Sequence, residues 1–181
     1  MKTERLIALL WGVAEATFFP LVPDVWLGWV ALRQGLPAAL RALPWAVLGA
    51  LLGGMLTWQL APLSQMQALV LAAIPNVNEA LLLKVQAQQM AWGAAALLLA
   101  PLGAVPFRLH ALLAATTGTM NPLAFLALAV PARSLRFLAV TALVAAMNRG
   151  LRAHLSLTVR KRVYVLLWTG FYVWLYTHFN T

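Results

Sequence analysis

Long apolar stretches, some of them broken by prolines and charges, dominate this chain. Three of them, residues 43–61, 121–147 and 163–179, approach or exceed the roughly 20 apolar residues that a helix needs to cross a ~30 Å hydrocarbon core. We therefore predict a transmembrane helix over each of these ranges. Two further apolar stretches, residues 5–33 and 89–118, carry prolines and ionisable side chains near their centres, and they need a different structure.

The first interrupted stretch, residues 5–33, holds two of the 4 acidic residues of the chain. Glu15 and Asp24 lie on either side of Pro20 and Pro23. Each proline removes a helical N–H and clashes with the preceding turn. Two arms of about 13 residues remain, or ~20 Å of helix each, which is too short to cross the membrane. Because basic residues stand at both outer ends, we predict a re-entrant hairpin whose ends return to the same membrane face.

Residues 89–118 repeat this pattern with basic residues beside the break. The first apolar arm reaches Pro101, and a second arm begins after Pro106. Arg108 and His110 follow directly, where the first hairpin carries acids. We predict a second re-entrant hairpin here, and we expect His110 to be a satisfied helix histidine rather than a ligand.

The segments between the apolar stretches are polar or basic. Residues 62–88 form the most polar segment and show partial helical spacing of apolar positions, which predicts an amphipathic helix on the membrane surface. Residues 149–162 concentrate Lys and Arg and predict a basic loop. Gly49 and Gly53 form a GxxxG motif, which favours close helix packing and permits a homodimer. We interpret residues 1–181 as a single membrane domain.

Composition supports the membrane class and excludes several others. The chain is 63% hydrophobic and 9% charged, whereas soluble domains average roughly 45–50% apolar and about 25% charged residues. The net charge of +9 does not indicate nucleic-acid binding, because the basic residues flank apolar runs and so suit membrane topology and anionic lipids. With no Cys and 3 scattered His, we expect no metal site and no cofactor. No hydrolase or nucleotide-binding motif is present, so we do not expect an enzyme.

The distribution of Lys and Arg predicts the orientation of the chain. With the N-terminus in the cytoplasm and the first hairpin returning to that side, most of the 13 Lys and Arg lie in cytoplasmic loops, as the positive-inside rule requires. A hairpin followed by a span then occurs twice, over about residues 5–61 and 89–148, in opposite orientations. We therefore predict an all-α polytopic membrane protein with two opposed re-entrant hairpins and about three transmembrane helices. This inverted-repeat architecture is a recurring design among transporters.

The ionisable residues inside the predicted membrane segments form the candidate site. Glu15 and Asp24 are the acids, and Arg108, Arg133 and Arg136 are the bases. A charge at the bilayer centre costs roughly 2.5–3.5 kcal/mol on insertion scales, so these groups need partners. One interpretation is a set of buried ion pairs that hold the hairpins in register. The other is a phosphate site, because three arginines face two acids and a guanidinium binds phosphate bidentately.

The two carboxylates also have two interpretations. Burial and a nearby arginine shift a carboxyl pKa in opposite directions. Glu15 and Asp24 are therefore either proton-coupling groups or only the ion-pair partners of the arginines.

Three motifs follow one another across most of the chain. Residues 15–24 hold an acid, a Pro-x-x-Pro turn and a second acid; residues 103–108 hold a glycine, a proline, an aromatic residue and a base; residues 125–137 read Phe-x(7)-Arg-x-x-Arg-aromatic. In this order and spacing they resemble the DedA family, also called the VTT or SNARE-associated domain, and are closest to its short YqaA-like branch. The chain departs from the family pattern at residues 131–132, where Pro-Ala stands in place of a small residue such as Gly.

The resemblance implies two opposed re-entrant hairpins and a role in moving lipids. Members of the family are implicated in transferring phospholipids or polyprenyl phosphate carriers between leaflets, with links to the proton-motive force. The family's functional acids would correspond to Glu15 and Asp24. Its essential basic residues would correspond to Arg108, Arg133 and Arg136.

These observations favour a flippase or scramblase in a bacterial inner (plasma) membrane, with an anionic phospholipid or a polyprenyl phosphate as its partner in the bilayer. The arginines would hold the phosphate, and Glu15 or Asp24 would release it by protonation. One alternative is a proton-coupled transporter of a small soluble ion. The other is a non-catalytic membrane scaffold whose buried ion pairs only stabilise the fold.

Overall fold

The structure, a computed structural model, describes residues 2–72, 79–99 and 105–178. Over these ranges all regular structure is helical, which confirms the predicted all-α class for this part of the chain. A short 3-10 turn at Gly93–Ala95 precedes α6. The helices are α1 (Lys2–Glu15), α2 (Asp24–Gln34), α3 (Leu36–Leu60), α4 (Ser64–Ala72), α5 (Glu79–Trp92), α6 (Ala96–Leu99), α7 (Phe107–Thr117), α8 (Pro122–Leu151) and α9 (Leu157–His178).

Two of these helices are long and apolar enough to cross a membrane. They are α3, with 25 residues, and α8, with 30 residues, and each covers all but one residue of the predicted spans 43–61 and 121–147. Both continue through an internal proline, Pro44 in α3 and Pro131 in α8. The third predicted span, residues 163–179, lies mostly in α9, which is not among the helices that meet this criterion in the described residues. That span stays a prediction.

The first interrupted stretch forms two antiparallel helices joined by residues 16–23. Gln34 Nε2 donates to Glu4 Oε1 at 2.9 Å at their outer ends, and Trp11 Nε1 donates to the Leu21 carbonyl at 2.9 Å near the break. The arms have 14 and 11 residues. The start of α1 and the end of α2 therefore lie at the same level of the bundle.

Helices α1 and α3 run parallel and in close contact. Gly12 of α1 lies against Ala46 and Ala50, and Gly49 and Gly53 of α3 lie against the α1 backbone at Leu9 and Val13. A Cβ at any of these glycines would overlap backbone atoms of the other helix. The GxxxG motif therefore packs α3 against a helix of the same chain, as small residues do between transmembrane helices.

The other long elements alternate in direction around this pair. Helix α8 is antiparallel to α3, because Phe125 packs against Trp58 with ring centroids 5.1 Å apart while Phe137 packs with Ala46 and Val47. Helix α9 is antiparallel to α2, because Lys161 lies over the Trp29 ring and Tyr172 reaches Val22.

Residues 62–88 differ from the predicted single amphipathic surface helix. Their described part forms α4 and the first part of α5, and Met66, Val70 and Val85 are buried in a cluster with α7. The buried apolar positions of this segment face protein, because α7 offers Leu109 and Leu112 as partners, whereas Leu63, Leu69 and Leu83 are exposed. The predicted basic loop 149–162 is likewise mostly helical, since α8 continues to Leu151 and α9 begins at Leu157.

The second interrupted stretch is described on both sides of its break. Pro101 lies outside the described residues, and Pro106 directly precedes α7 with extended backbone, φ −63° and ψ 135°. Leu97 of α6 and Phe107 of α7 pack together with Ala16 of the first break and with Ala129 and Ala132 of α8. Both edges of this stretch thus meet the break of the first hairpin.

The close contact of α1 with α3 predicts a specific sensitivity to glycine replacement. We expect Gly49→Ala to lower the stability of the fold by ~1–3 kcal/mol, because the new methyl group meets the Leu9 carbonyl group rather than a movable side chain. Unfolding in mixed detergent micelles, followed by circular dichroism, measures this loss.

Gly170→Ala in α9 is the matched control. A Cβ at Gly170 meets nothing within 4 Å, so this change should be neutral or should stabilise by up to ~1 kcal/mol through helix propensity. Equal losses for the two variants would contradict the packing described for α1 and α3.

Candidate functional site

The candidate site lies where the break between α1 and α2 meets the beginning of α7. A helix end leaves backbone carbonyls without intrahelical partners, and these carbonyls attract cations. Arg108 Nη1 donates to the carbonyl oxygens of Glu15 at 3.2 Å and of Phe19 at 2.7 Å. The extended backbone at Pro106 begins α7 at this point, so that Arg108 lies in its first turn. Arg108 is 3% exposed.

Glu15 and Arg133 form the first of two acid–arginine pairs. Arg133 Nη2 donates to Glu15 Oε2, and the two side chains are 4% and 6% exposed. The Arg133 guanidinium also lies between two aromatic rings, 4.8 Å from the centroid of Phe107 and 4.6 Å from that of Phe137. Cation–π contacts of this kind strengthen when the cation is shielded from water. Arg133 is therefore held on three sides.

Asp24 and Arg136 form the second pair, which is more open. Arg136 Nε donates to Asp24 Oδ2 at 3.1 Å, and the Arg136 side chain is 27% exposed whereas Asp24 is 1% exposed. Asp24 Oδ1 is buried and has no hydrogen-bond partner among the described residues. Asp24 opens α2, where a negative charge suits the helix dipole. This pair thus combines a buried carboxylate with a guanidinium that reaches the protein surface.

The two pairs lie side by side. Arg133 and Arg136 are three residues apart on α8 and so lie on neighbouring positions of one helix surface, and the acids lie on either side of the break in the first hairpin. The structure therefore brings together all five ionisable residues that the sequence pattern selected. Pro20 and Pro23 lie in and at the end of the break, and Pro106 lies two residues before Arg108.

Two tyrosines of α9 also belong to this region, although the candidate site residues predicted from sequence do not include them. Tyr164 donates to the Val25 carbonyl at 2.8 Å, and Tyr172 accepts from the Val22 amide at 2.9 Å. Trp168 stacks on Tyr172, with ring centroids 5.9 Å apart. The spacing of these three residues, each four positions from the next, places them on one helix face. This four-residue spacing is the sequence pattern from which an aromatic stripe that contacts protein could have been predicted.

A second polar cluster is buried between α5 and α7. Gln89 Nε2 donates to the His110 carbonyl at 3.0 Å, and Thr119 donates to Gln89 Oε1 at 3.1 Å. Gln89 and His110 are 1% and 0% exposed. This cluster joins the two helices, and its Gln89 is not among the site residues predicted from sequence.

Comparisons with known proteins do not assign this chain to a family. No model of a known protein family, no curated protein and no solved structure matches the chain. Within the described ranges, no group of three or more His, Cys, Asp or Glu side chains could hold a metal ion.

The different surroundings of the two pairs predict different costs when one acid is neutralised. We expect Glu15→Gln to destabilise the protein by ~3–5 kcal/mol, because it leaves the Arg133 charge buried without its carboxylate. Asp24→Asn should cost clearly less, because Arg136 is already partly exposed and can turn outward. Unfolding of the two variants in the same detergent mixture checks the order.

The double variant Glu15→Gln, Arg133→Met tests whether the unpaired Arg133 charge causes the loss of stability. Replacing both partners of a buried pair by groups of similar volume is often close to neutral, so the double variant should recover most of the loss. A double variant as unstable as Glu15→Gln alone would contradict the assignment of the loss to the unpaired arginine.

Proposed function

We propose that this chain is a polytopic inner-membrane protein of the DedA type that moves a phosphate-bearing lipid between leaflets. The observation that carries the proposal is the second acid–arginine pair, in which a partly exposed guanidinium binds a buried carboxylate at the break of the first hairpin. Two helices with the length and apolarity of membrane spans support the membrane setting. The two edges of the second interrupted stretch, which meet the first break, support an inverted pair of hairpins.

The distribution of basic groups supports a cytoplasmic N-terminus. The basic ends of α2 and α9 come together at Trp29, where Arg33 and Lys161 lie 5.9 and 6.0 Å from the ring centroid. Arg160 donates to Asn148 near the end of α8. These groups share one end of the bundle with the start of α1. A single basic end is what the positive-inside rule associates with the cytoplasmic side.

Arg136 is the arginine best placed to receive a phosphate. It uses its Nε atom for Asp24, and a guanidinium has five N–H donors in a planar fork that suits bidentate binding of phosphate. Its exposed fraction of 27% contrasts with 4% for Arg133. Arg133 and Arg108 would then shape the site and supply positive potential, while Arg136 makes the contact that forms and breaks.

Asp24 supplies a reason for proton coupling. While it is ionised, it competes with an incoming phosphate for Arg136. A proton added at Oδ1 breaks no hydrogen bond, since that atom has no partner among the described residues. The neutral acid would hold Arg136 less strongly, and phosphate would replace it. Loss of the proton would restore the ion pair and release the lipid.

A scaffold is the second candidate function, and the Glu15–Arg133 pair favours it. That pair is closed and buried, and its arginine contacts two aromatic rings, as expected of an ion pair that only stabilises the fold. If the Asp24–Arg136 pair also only stabilises the fold, the protein is a scaffold in a membrane assembly and moves no lipid.

Leaflet exchange in proteoliposomes decides between the two. Liposomes of phosphatidylcholine with a trace of nitrobenzoxadiazole-labelled phosphatidylglycerol report exchange as the fraction of label that dithionite reaches. We expect Asp24→Asn and Arg136→Gln to slow exchange by about tenfold or more, the equivalent of one lost hydrogen bond to a charged group at ~1.5–3 kcal/mol. Arg41→Gln, which changes an exposed arginine of α3, should keep the wild-type rate.

Stability measured on the same preparations separates folding from function. Wild-type exchange rates in folded Asp24→Asn and Arg136→Gln proteins would overturn the lipid-transfer proposal and favour the scaffold. The same result follows if liposomes with the wild-type protein exchange lipid no faster than empty liposomes.

A further inference from the structure

An apolar groove with a volume of about 310 Å³ runs between α8 and α9. Its walls are Val144 and Met147 of α8 and Leu167 and Phe171 of α9, and Leu32 of α2 forms part of its floor. Nothing in the fold described above uses this groove. The packing of α9 explains it, because the stripe of Tyr164, Trp168 and Tyr172 holds that helix against α2 and leaves its flanks open.

One end of the groove is basic. Arg160 and Asn148 line this end, and Arg160 donates to the Asn148 side chain and to the Leu155 carbonyl at 3.2 Å. Arg160 is half-buried. The last turn of α8, the connection and the first turns of α9 add further positive charge, from Arg149, Arg152, Lys161 and Arg162. An apolar channel with a basic mouth complements an anionic head group attached to a hydrocarbon chain.

The length of the groove matches one leaflet. From Arg160 to Phe171 the helix advances by eleven residues, or ~16 Å at 1.5 Å per residue. The hydrocarbon core of a bilayer is ~30 Å thick. A chain that enters at the basic end would therefore reach the middle of the membrane at Phe171.

The deep end of the groove leads toward the second acid–arginine pair. Residues 136, 140, 144, 147 and 151 recur at spacings of three and four and so share one face of α8. Arg136 lies eight residues, or ~12 Å, beyond Val144 on this face. Tyr172, the residue after Phe171, lines the other groove and accepts a hydrogen bond from the Val22 amide, two residues before Asp24. The face of α8 that borders the groove thus continues from the basic end toward Arg136.

We propose that the groove between α8 and α9 binds the hydrocarbon chain of an anionic phospholipid, with the phosphate at Arg160. The groove would be the initial binding site for lipid from the basic side, before the head group of the lipid reaches Arg136. This inference rests on the proposed function only for the membrane setting and for the direction of travel. Binding itself can be measured without transport.

A second groove provides the internal control. It lies on the other flank of α9, against the first hairpin, and has a volume of about 520 Å³. Its described lining includes Trp11, Trp26 and Trp168, and no charged side chain belongs to that lining. It is larger, but its nearest cations, Arg33 and Lys161, lie over the Trp29 ring and do not line the groove, so a phosphate meets no cation inside it.

Photocrosslinking in liposomes tests the proposal with the full-length protein. The probe is phosphatidylglycerol with a diazirine at the end of one acyl chain, in phosphatidylcholine vesicles, and labelled peptides are identified by mass spectrometry. We expect labels on the groove walls near Leu167, Phe171 and Val144. A phosphatidylcholine probe with the same diazirine should label these positions about tenfold less, the equivalent of ~1.4 kcal/mol from the head-group contact.

Two valines of α9 give a matched pair of variants. Val163 lines the groove between α8 and α9, and Val165, two residues away, lines the other groove. Both are surface-exposed, at 38% and 49%. Val163→Trp fills the proposed site and should lower labelling of its walls by about tenfold, whereas Val165→Trp should leave it at the wild-type level. Arg160→Gln should remove the preference for the anionic probe.

The outcomes separate this site from the proposed function. Wall labelling that Val163→Trp lowers, with a preference for the anionic probe that Arg160→Gln removes, supports the site, even if leaflet exchange proves independent of Arg136. Labelling that is equal for the two probes, or that Val165→Trp reduces as much as Val163→Trp, overturns the site. That result leaves any Arg136-dependent exchange untouched. Melting temperatures equal to that of the wild type show that the variants are folded.

Discussion

The backbone at the break between α1 and α2 must find hydrogen-bond partners in an apolar protein, and much of the fold supplies them. Arg108 of α7 binds the carbonyls of Glu15 and Phe19, and Thr57 of α3 donates to the Ala16 carbonyl at 2.7 Å. Tyrosines of α9 bind the Val22 amide and the Val25 carbonyl. A buried backbone group without a partner costs several kcal/mol in hydrocarbon. Three helices that are distant in sequence therefore converge on one short irregular segment.

This convergence gives the charges their positions. Because α8 packs antiparallel to α3, its two arginines lie beside the break between α1 and α2. The two acids lie at the helix ends on either side of this break, within reach of the arginines. The outcome is two pairs in different surroundings. Glu15 with Arg133 is closed and lies between aromatic rings, while Asp24 with Arg136 reaches the surface. The closed pair joins the end of α1 to α8, whereas the open pair leaves the Arg136 guanidinium partly exposed.

Helix α9 adds a different kind of contact. One stripe of aromatic residues holds it to α2, with hydroxyl groups on the break and rings that stack along the helix. Its remaining surface is largely exposed, and apolar grooves lie on both flanks. In a membrane, lipid would cover such surfaces. The most loosely packed helix is thus the one that borders both the basic end of the bundle and the Asp24–Arg136 pair.

Sequence alone was enough to identify the ionisable residues of the candidate site. In a chain with 9% charged residues, an acid or arginine inside an apolar run is costly, so Glu15, Asp24, Arg108, Arg133 and Arg136 were identifiable without coordinates, as were the helical class and two long apolar helices. The tertiary structure determined which of these residues are in contact with one another. The pairing of Glu15 with Arg133, the contact of Arg108 with carbonyls, the folding of α4 and α5 onto α7 and the role of Tyr164 and Tyr172 all join residues distant in the chain. Local periodicity reports which face of a helix is apolar. Whether protein or lipid covers that face depends on packing between distant segments, which periodicity does not encode.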